Sequence, residues 1–255
     1  MKKMTQSLIA SVAFLFLPAV ARAAVVEYVS GHADIGLAYE EGELELHYHF
    51  GSGAILDGMP LADEVEYAPD EAYINVGMNA HSTTTADVSF LGTTTGDPVW
   101  ILPQSGTVAN AAGLPFLGLA SEELDSADFS TLSLSLSSFN GPGEFALWQS
   151  GNLGQPSIYW QTYGGIDSSD VLAMGVGGHD HYNFGFTAQG VYDLELTAVG
   201  NLTADAGGGS VTDTGTFRFV VGSVSAVPEP SSLAAMTGAT ALCLFRRRSR
   251  KTIVK

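Results

Sequence analysis

The chain is almost devoid of cysteine. Its single cysteine, Cys243, lies near the C-terminus of the 255 residues. Residues 24–226 therefore contain no thiol, which excludes a disulfide bond, a thiolate metal ligand and a cysteine nucleophile from that part of the chain. A metal site there has to use histidine, aspartate and glutamate side chains.

Basic residues are nearly absent from the same region. Arg218 is its only lysine or arginine, because the other nine lie near the two ends of the chain. Of the 27 aspartates and glutamates, only Glu229 lies outside it, so one positive and 26 negative side chains give a net charge near −25 with histidine neutral. This charge disfavours nucleic acid and anionic lipid as partners, since both carry the same sign. It is compatible with cations, with solubility outside the cell and with a neutral polysaccharide.

Catalytic motifs are also missing. The sequence contains neither the His-Glu-x-x-His motif of zinc proteases nor the Gly-x-Ser-x-Gly nucleophile elbow. We therefore expect a protein that is not an enzyme. The enzymatic alternative is a metallohydrolase that uses histidine ligands, an open coordination position and a carboxylate as general base.

The first 23 residues have the pattern of a secretory signal peptide. Lys2 and Lys3 form the positive region, and the apolar run from Leu8 to Val20 ends at Ala21-Arg22-Ala23, a small-x-small sequence. We predict that signal peptidase cleaves after Ala23. The run is shorter than the stretch of about 20 apolar residues that a transmembrane helix needs, which disfavours a permanent membrane anchor.

Residues 227–255 have the layout of a sorting tail. Val227-Pro228-Glu229-Pro230 precedes a short apolar segment from Leu233 to Phe245, and an arginine-rich end follows. Basic residues stay on the cytoplasmic side, so the segment is expected to hold the chain temporarily in the inner membrane. This order resembles the PEP-CTERM sorting signal, which an exosortase recognises in Gram-negative bacteria that make extracellular polysaccharide. The resemblance implies processing near Pro228, Glu229 and Pro230, and a final place at the cell surface, in the periplasm or in the extracellular matrix.

Between the two ends, short alternating segments predict an all-β domain over residues 24–226. Residues 43–50, 131–137, 191–197 and 216–221 alternate or nearly alternate apolar and polar side chains, and glycine-rich turns separate them. Many short strands with frequent turns favour a β-sandwich or jelly-roll-like single domain. We predict one short helix that begins near Ser121, with Glu122 and Glu123 in its first turn.

The six histidines all lie in this region, and four of them form His-x-His pairs. On a strand, residues i and i+2 point to the same face, so each pair presents two imidazoles side by side. Imidazole is a usual ligand of zinc, copper and nickel. The candidate ligands are His32, Asp34, His47, His49, His179 and His181, with Asp180 as an alternative oxygen ligand or orienting group. The simpler interpretation is a set of solvated or core histidines, and we assign His81 a structural role.

The surrounding carboxylates add an electrostatic expectation. They raise the local concentration of divalent cations, and they are expected to raise the pKa of the histidines. Metal would then be lost as the pH falls, because a protonated imidazole cannot act as a ligand.

Several segments resemble the choice-of-anchor M domain. They are Gly31-His32-Ala33-Asp34-Ile35-Gly36 with the following strand, residues 114–119, residues 139–145, and residues 179–187 with Gly190-Val191-Tyr192. With the sorting tail, the chain is similar to PEP-CTERM proteins described as repressed by the zinc uptake regulator. The resemblance implies expression during zinc starvation and a role in extracellular zinc capture or homeostasis. Related surface domains accompany metal ABC transporters, which implies a zinc ABC transporter as partner. Where such proteins carry three consecutive histidines, this chain has His179-Asp180-His181.

The leading hypothesis is thus a non-catalytic zinc-binding protein outside the cytoplasm. The alternative is a structural or carbohydrate-binding module of the extracellular polysaccharide matrix. In that case Trp148, Tyr159, Trp160 and Tyr163 would form an exposed platform for sugar rings.

Overall fold

The computed structural model describes residues 24–151 and 155–223. The predicted signal peptide with Ala23, and the sorting tail with Pro228, Glu229 and Pro230, lie outside the described residues. Within the described ranges, no helix has the length and apolar character needed to cross a membrane.

Strands make up most of the described chain. They are β1 (Val26–Glu40), β2 (Glu43–Phe50), β3 (Ile55–Leu56), β4 (Met59–Pro60), β5 (Val65–Tyr67), β6 (Ala72–Val76), β7 (His81–Thr83), β8 (Pro98–Leu102), β9 (Pro115–Ala120), β10 (Phe129–Asn140), β11 (Phe145–Ser150), β12 (Pro156–Gln161), β13 (Val171–Met174), β14 (His179–His181), β15 (Asn183–Phe186), β16 (Gly190–Leu202) and β17 (Ser210–Val221). The α-helix α1 spans Gly106–Ala112, and 3₁₀ helices span Met78–Ala80 and Ala86–Leu91.

The strands form one large mixed sheet and one small antiparallel sheet. The large sheet runs in the order β13-β10-β16-β17-β6-β1-β2-β5, and β9 joins it through β1 and carries β14 on its other side. The pairings β1–β6, β1–β9 and β6–β17 are parallel. The small sheet has the order β12-β11-β15-β8-β7. The prediction of a mostly β protein is confirmed, and each of the four predicted strand segments lies within a strand.

The alternation of β1 and β2 determines which face of the sheet is apolar. Ala33, Ile35 and Leu37 of β1 are buried, as are Leu46 and Tyr48 of β2. Burying a side chain the size of Ile35, Leu37 or Leu46 stabilises the fold by about 1.5–3 kcal/mol relative to leaving it exposed. Because side chains alternate along a strand, His32, Asp34 and Gly36 of β1 and His47 and His49 of β2 lie on the opposite face.

The prediction of a helix that begins near Ser121 is wrong. Residues 121–128 form turns, and the α-helix lies earlier, at Gly106–Ala112, where Gly113 ends it with a φ of 65°. The Ser121 hydroxyl donates instead to the backbone oxygen of Gly175 at 2.6 Å. This tertiary contact uses the hydroxyl that would otherwise have capped a helix.

Candidate metal centre

Four strands, β14, β1, β2 and β5, carry ligand-type side chains on one sheet face, and β9 lies between β14 and β1. Across β14, β9, β1, β2 and β5, the strand register places His181 opposite Gly118, Gly118 opposite Asp34, Asp34 opposite His49 and His49 opposite Glu66. Directly paired residues have Cβ atoms about 4.5–5.5 Å apart in antiparallel pairs. The row therefore brings ligand-type side chains that are more than 100 residues apart in the sequence, between Glu66 and His181, onto a common surface.

The first cluster consists of His32, Asp34, His179 and His181, whose candidate ligand atoms all lie within 4.8 Å of one another. His179 Nε2 lies 3.1 Å from Asp34 Oδ1 and 3.1 Å from His181 Nε2. His32 Nε2 lies 3.5 Å from Asp34 Oδ2. Zn²⁺ bonds of 2.0–2.1 Å in a tetrahedron separate neighbouring ligand atoms by about 3.3 Å. The spacings of 3.1–3.5 Å are compatible with side chains that share one metal ion, so the first cluster is a candidate metal site.

Asp34 is the unusual member of the first cluster. It is only 4 % exposed, and its Oδ1 atom is buried without a hydrogen-bond partner in the described part of the chain. Arg218, the only lysine or arginine among the described residues, donates to Asp193 instead, at 2.7 and 3.0 Å. Burial raises the pKa of Asp34, whereas the imidazoles of His32 and His179 oppose this by favouring its carboxylate. A buried carboxylate needs a compensating positive charge, which either a protonated imidazole of His32 or His179 or a metal ion bound by these residues can supply.

A glycine on β9 allows the first cluster to form. Asp34 on β1 and the histidines of β14 lie on either side of β9, two strand spacings or about 9.5 Å apart. A Cβ atom at Gly118 would collide with Asp34 Oδ1 and would lie 3.0 Å from His179 Nε2. Because glycine has no side chain, Asp34 of β1 and His179 of β14 can approach each other across β9.

The second cluster consists of His47, His49, Glu66 and Glu123, and its candidate ligand atoms also lie within 4.8 Å of one another. Glu123 Oε1 is 3.2 Å from His47 Nε2 and 3.5 Å from His49 Nδ1. The other nitrogen of His49, Nε2, faces Glu64 Oε2 at 3.5 Å. The candidate residues thus fall into two adjacent groups.

His47 is the buried member of the second cluster. Its side chain is 10 % exposed, and its Nε2 has no hydrogen-bond partner among the described residues. A Cβ atom at Gly36, directly opposite on β1, would lie 2.5 Å from that nitrogen. Gly36 therefore gives the imidazole room to lie over β1, just as Gly118 does for the first cluster.

The turn formed by residues 121–124 touches both clusters. Ser121 is fully buried and anchors the turn through hydrogen bonds with Gly175 and Gly178. Glu122 Oε1 lies 3.4 Å from His179 Nδ1, and Glu123 reaches the second cluster. Sequence reasoning missed Glu66, Glu122 and Glu123 as site residues. The Glu122-Glu123 pair was visible but was assigned to a helix, and only the β2–β5 pairing places Glu66 beside His49.

His181 shows how burial outweighs the surrounding acidity. Burial lowers the pKa of His181 to about 4, and the neighbouring imidazoles of His179 and His32 also lower it. Its ring is stacked on Phe116 at a centroid distance of 3.6 Å. The expectation of a raised histidine pKa is therefore wrong for this residue, whose imidazole is neutral and able to bind metal at neutral pH.

Two other sequence candidates belong to neither cluster. Asp180 points away from the site face because it alternates with His179 and His181, and it accepts a hydrogen bond from Gln149 Nε2 at 3.2 Å. His81 lies on β7 in the small sheet, where its ring centroid is 4.9 Å from that of Trp100. Asp34, rather than Asp180, supplies the carboxylate of the first cluster.

The aromatic residues of the alternative hypothesis do not form an exposed platform. Trp148 and Trp160 are buried, at 5 % and 0 % exposure, whereas Tyr163 is 52 % exposed. Tyr159 donates a hydrogen bond to Gln149 Oε1 at 2.9 Å. The two tryptophans therefore serve as core residues.

The donor set of the two clusters consists of imidazole nitrogens and carboxylate oxygens. Such a set suits zinc and neighbouring divalent transition metals. No protein-family model matches this chain, and no curated protein or solved structure matches it either.

Proposed function

We propose that this chain is an exported zinc-binding protein that scavenges zinc or maintains zinc supply outside the cytoplasm, with the first cluster as its zinc site. The observation that carries the proposal is the convergence of three imidazoles and the buried Asp34 carboxylate, whose candidate ligand atoms all lie within 4.8 Å of one another. Among the described residues, the imidazoles of His32 and His179 are the groups that face the Asp34 carboxylate, and a metal ion bound by all three would supply the positive charge that a buried carboxylate needs while the imidazoles stay neutral.

A binding role fits this ligand set better than catalysis. Structural zinc sites are closed by four protein ligands, whereas catalytic sites keep three and leave the fourth position to water. His32, Asp34, His179 and His181 together can fill all four positions. The metallohydrolase alternative would require one of them to leave the metal.

The proposed location follows from the ends of the sequence. The signal peptide pattern predicts export, and the Pro228-Glu229-Pro230 tail predicts processing by an exosortase. A strongly acidic domain concentrates divalent cations near its surface. We infer that the captured zinc is passed to a zinc ABC transporter, as the resemblance implies.

We also infer that the two sheets pack face to face as a β-sandwich beneath this site. Phe184 and Phe186 of the small sheet lie 5.9 and 5.3 Å, between ring centroids, from Phe219 of the large sheet. These residues belong to one hydrophobic core. Such a scaffold would hold the strands that carry the ligands in a fixed register.

Metal analysis of the full chain, purified without a histidine tag, tests the proposal. We expect bound zinc after loading and gel filtration, and its loss from the first cluster in a His179→Ala/His181→Ala variant. His81→Ala, which removes a histidine outside both clusters, is the matched control and should bind as the wild type does. Metal-free wild type, or a double variant that binds as much zinc as the wild type, would contradict the zinc site.

A further inference from the structure

The second cluster lies on the same face as the first, and the turn of residues 121–124 contacts both. We propose that the second cluster binds a second divalent metal ion and that this turn couples the two sites, so that filling one strengthens binding at the other. The proposal rests on the proposed function, because it takes the first cluster as the primary zinc site.

The ligand chemistry of the second cluster supports a metal ion. His47 Nε2 is buried, has no hydrogen-bond partner among the described residues and faces Glu123 Oε1 at 3.2 Å. His49 Nδ1 approaches the same oxygen at 3.5 Å. Two imidazoles and a carboxylate that converge in this way, with Glu66 beside them, offer the four ligands of a tetrahedral site.

The outer contacts of both clusters have the same form. His49 has its second nitrogen, Nε2, 3.5 Å from Glu64, and His179 has its second nitrogen, Nδ1, 3.4 Å from Glu122. Histidines that bind metals commonly donate their other ring N–H to a carboxylate, which fixes the ring and increases its basicity as a ligand. Glu122 is thus a positioning residue for the first cluster rather than a ligand.

The coupling follows from the covalent link between Glu122 and Glu123. Glu123 is a ligand candidate of the second cluster, whereas its neighbour Glu122 orients His179 of the first. Hydrogen bonds of the Ser121 hydroxyl to Gly175 and Gly178 fix the start of the turn, and the buried side chain of Leu124 fixes its end. A metal ion that holds Glu123 therefore holds Glu122 against His179 as well.

Charge balance allows two ions on one face. Two divalent ions on adjacent strands repel each other, but Asp34, Glu66 and Glu123 provide three carboxylates within the two ligand sets. Glu64 and Glu122 add two more at the outer histidine nitrogens. Coupling between binding sites is typically 5- to 150-fold in affinity, and we expect about 5-fold or more here.

Zinc titration of the full untagged chain, with stoichiometry from native mass spectrometry and affinities from calorimetry, tests the proposal. We expect two zinc ions per wild-type chain. We expect one in His179→Ala/His181→Ala and one in His47→Ala/His49→Ala, each bound at least about 5-fold more weakly than the same site in the wild type. Glu123→Gln is a conservative second variant at an exposed turn, and it should also lose one ion.

Glu122→Gln tests the coupling separately, because it leaves every candidate ligand in place. This variant should still bind two ions, but filling one site should no longer strengthen the other. A wild type with one zinc that survives His47→Ala/His49→Ala and Glu123→Gln would overturn the second site and leave the first intact. Two sites with affinities independent of each other would overturn the coupling. Retention of both ions in His179→Ala/His181→Ala would instead contradict the proposed function itself.

Discussion

At the scale of single residues, two glycines determine whether the ligands can meet. Gly36 and Gly118 lie on the site face, and a Cβ atom at either would intrude on a ligand atom. Both occupy strands, where glycine is usually unfavourable because it loses more conformational entropy on folding. Their presence here is explained by the close approach of His47 and Asp34.

We expect Gly118→Ala to weaken zinc binding by at least about 10-fold, equivalent to 1.4 kcal/mol. The added methyl group displaces Asp34 Oδ1 and crowds His179 Nε2. Calorimetric titration with zinc measures the effect. Gly77→Ala is the matched control, because Gly77 lies outside both clusters, has a φ of −63°, and an added Cβ atom there would make only an ordinary contact of 3.5 Å with Asn75. Equal zinc affinities for both variants would show that Gly118 does not make room for the site.

The pH dependence of the metal-free protein should reveal the burial of His181. Its pKa is about 4 in the folded chain against an ordinary value of 6.5, so the unfolded chain takes up this proton first as the pH falls. The contribution of His181 to the free energy of unfolding is therefore largest above about pH 6.5 and declines towards pH 4.

Melting temperatures in the presence of a chelator, measured from pH 7 to pH 4.5, test this expectation. The wild type should lose more stability over this range than His181→Gln, which has no titrating ring. Asp34 acts in the opposite direction, since its raised pKa favours proton uptake by the folded state. The comparison with His181→Gln isolates the histidine, and parallel curves for the two proteins would refute its role.

At the scale of secondary-structure elements, the sequence pattern predicts where strands lie but not which strands pair with each other. The strict alternation of residues 43–50 predicted β2, and the structure gives the strand as Glu43–Phe50. Alternation also placed His47 and His49 on one face. It carries no information about partners, because the insertion of β9 between β1 and β14 depends on long-range pairing.

The turn of residues 121–124 shows why Glu122 and Glu123 could not be predicted as site residues from the sequence. Ser121 followed by two glutamates is a good helix start by local rules. In the structure, the Ser121 hydroxyl and backbone pair with Gly175 and Gly178, more than fifty residues away. Tertiary contacts therefore override the local preference, and they place Glu122 and Glu123 at the clusters.

We expect Ser121→Ala to lower the free energy of unfolding by about 1–3 kcal/mol, since it leaves buried polar groups unsatisfied. The hydroxyl donates to Gly175 O at 2.6 Å and accepts from Gly178 N at 3.1 Å. Urea denaturation of the metal-free protein measures the loss. Ser130→Ala serves as control, because that exposed hydroxyl makes one bond, to Asn201 O at 3.0 Å, and should have a smaller effect. Equal losses would show that the turn is not anchored by Ser121.

At the scale of the whole molecule, the excess of negative charge destabilises the metal-free folded chain and favours the binding of divalent cations. Among the described residues, Arg218 is the only lysine or arginine, and it is paired with Asp193. The many remaining carboxylates repel one another, and this repulsion destabilises the compact state. Divalent cations bound at the first and second clusters would reduce that repulsion. They would also stabilise the folded chain by mass action, because they bind the folded state and not the unfolded one.

Sodium chloride should therefore stabilise the metal-free protein and slow its capture of zinc. Raising the ionic strength from 0.01 to 0.15 M shortens the Debye length from about 30 to about 8 Å, which weakens repulsion among surface carboxylates and also their attraction for Zn²⁺. We expect the melting temperature in the presence of a chelator to rise over this range, and the zinc association rate in stopped-flow measurements to fall. Chloride is preferred to sulfate, because sulfate strengthens apolar burial by itself. A melting temperature that falls with added salt would show that the net charge does not limit stability. An association rate that does not respond to salt would show that the net charge does not speed zinc capture.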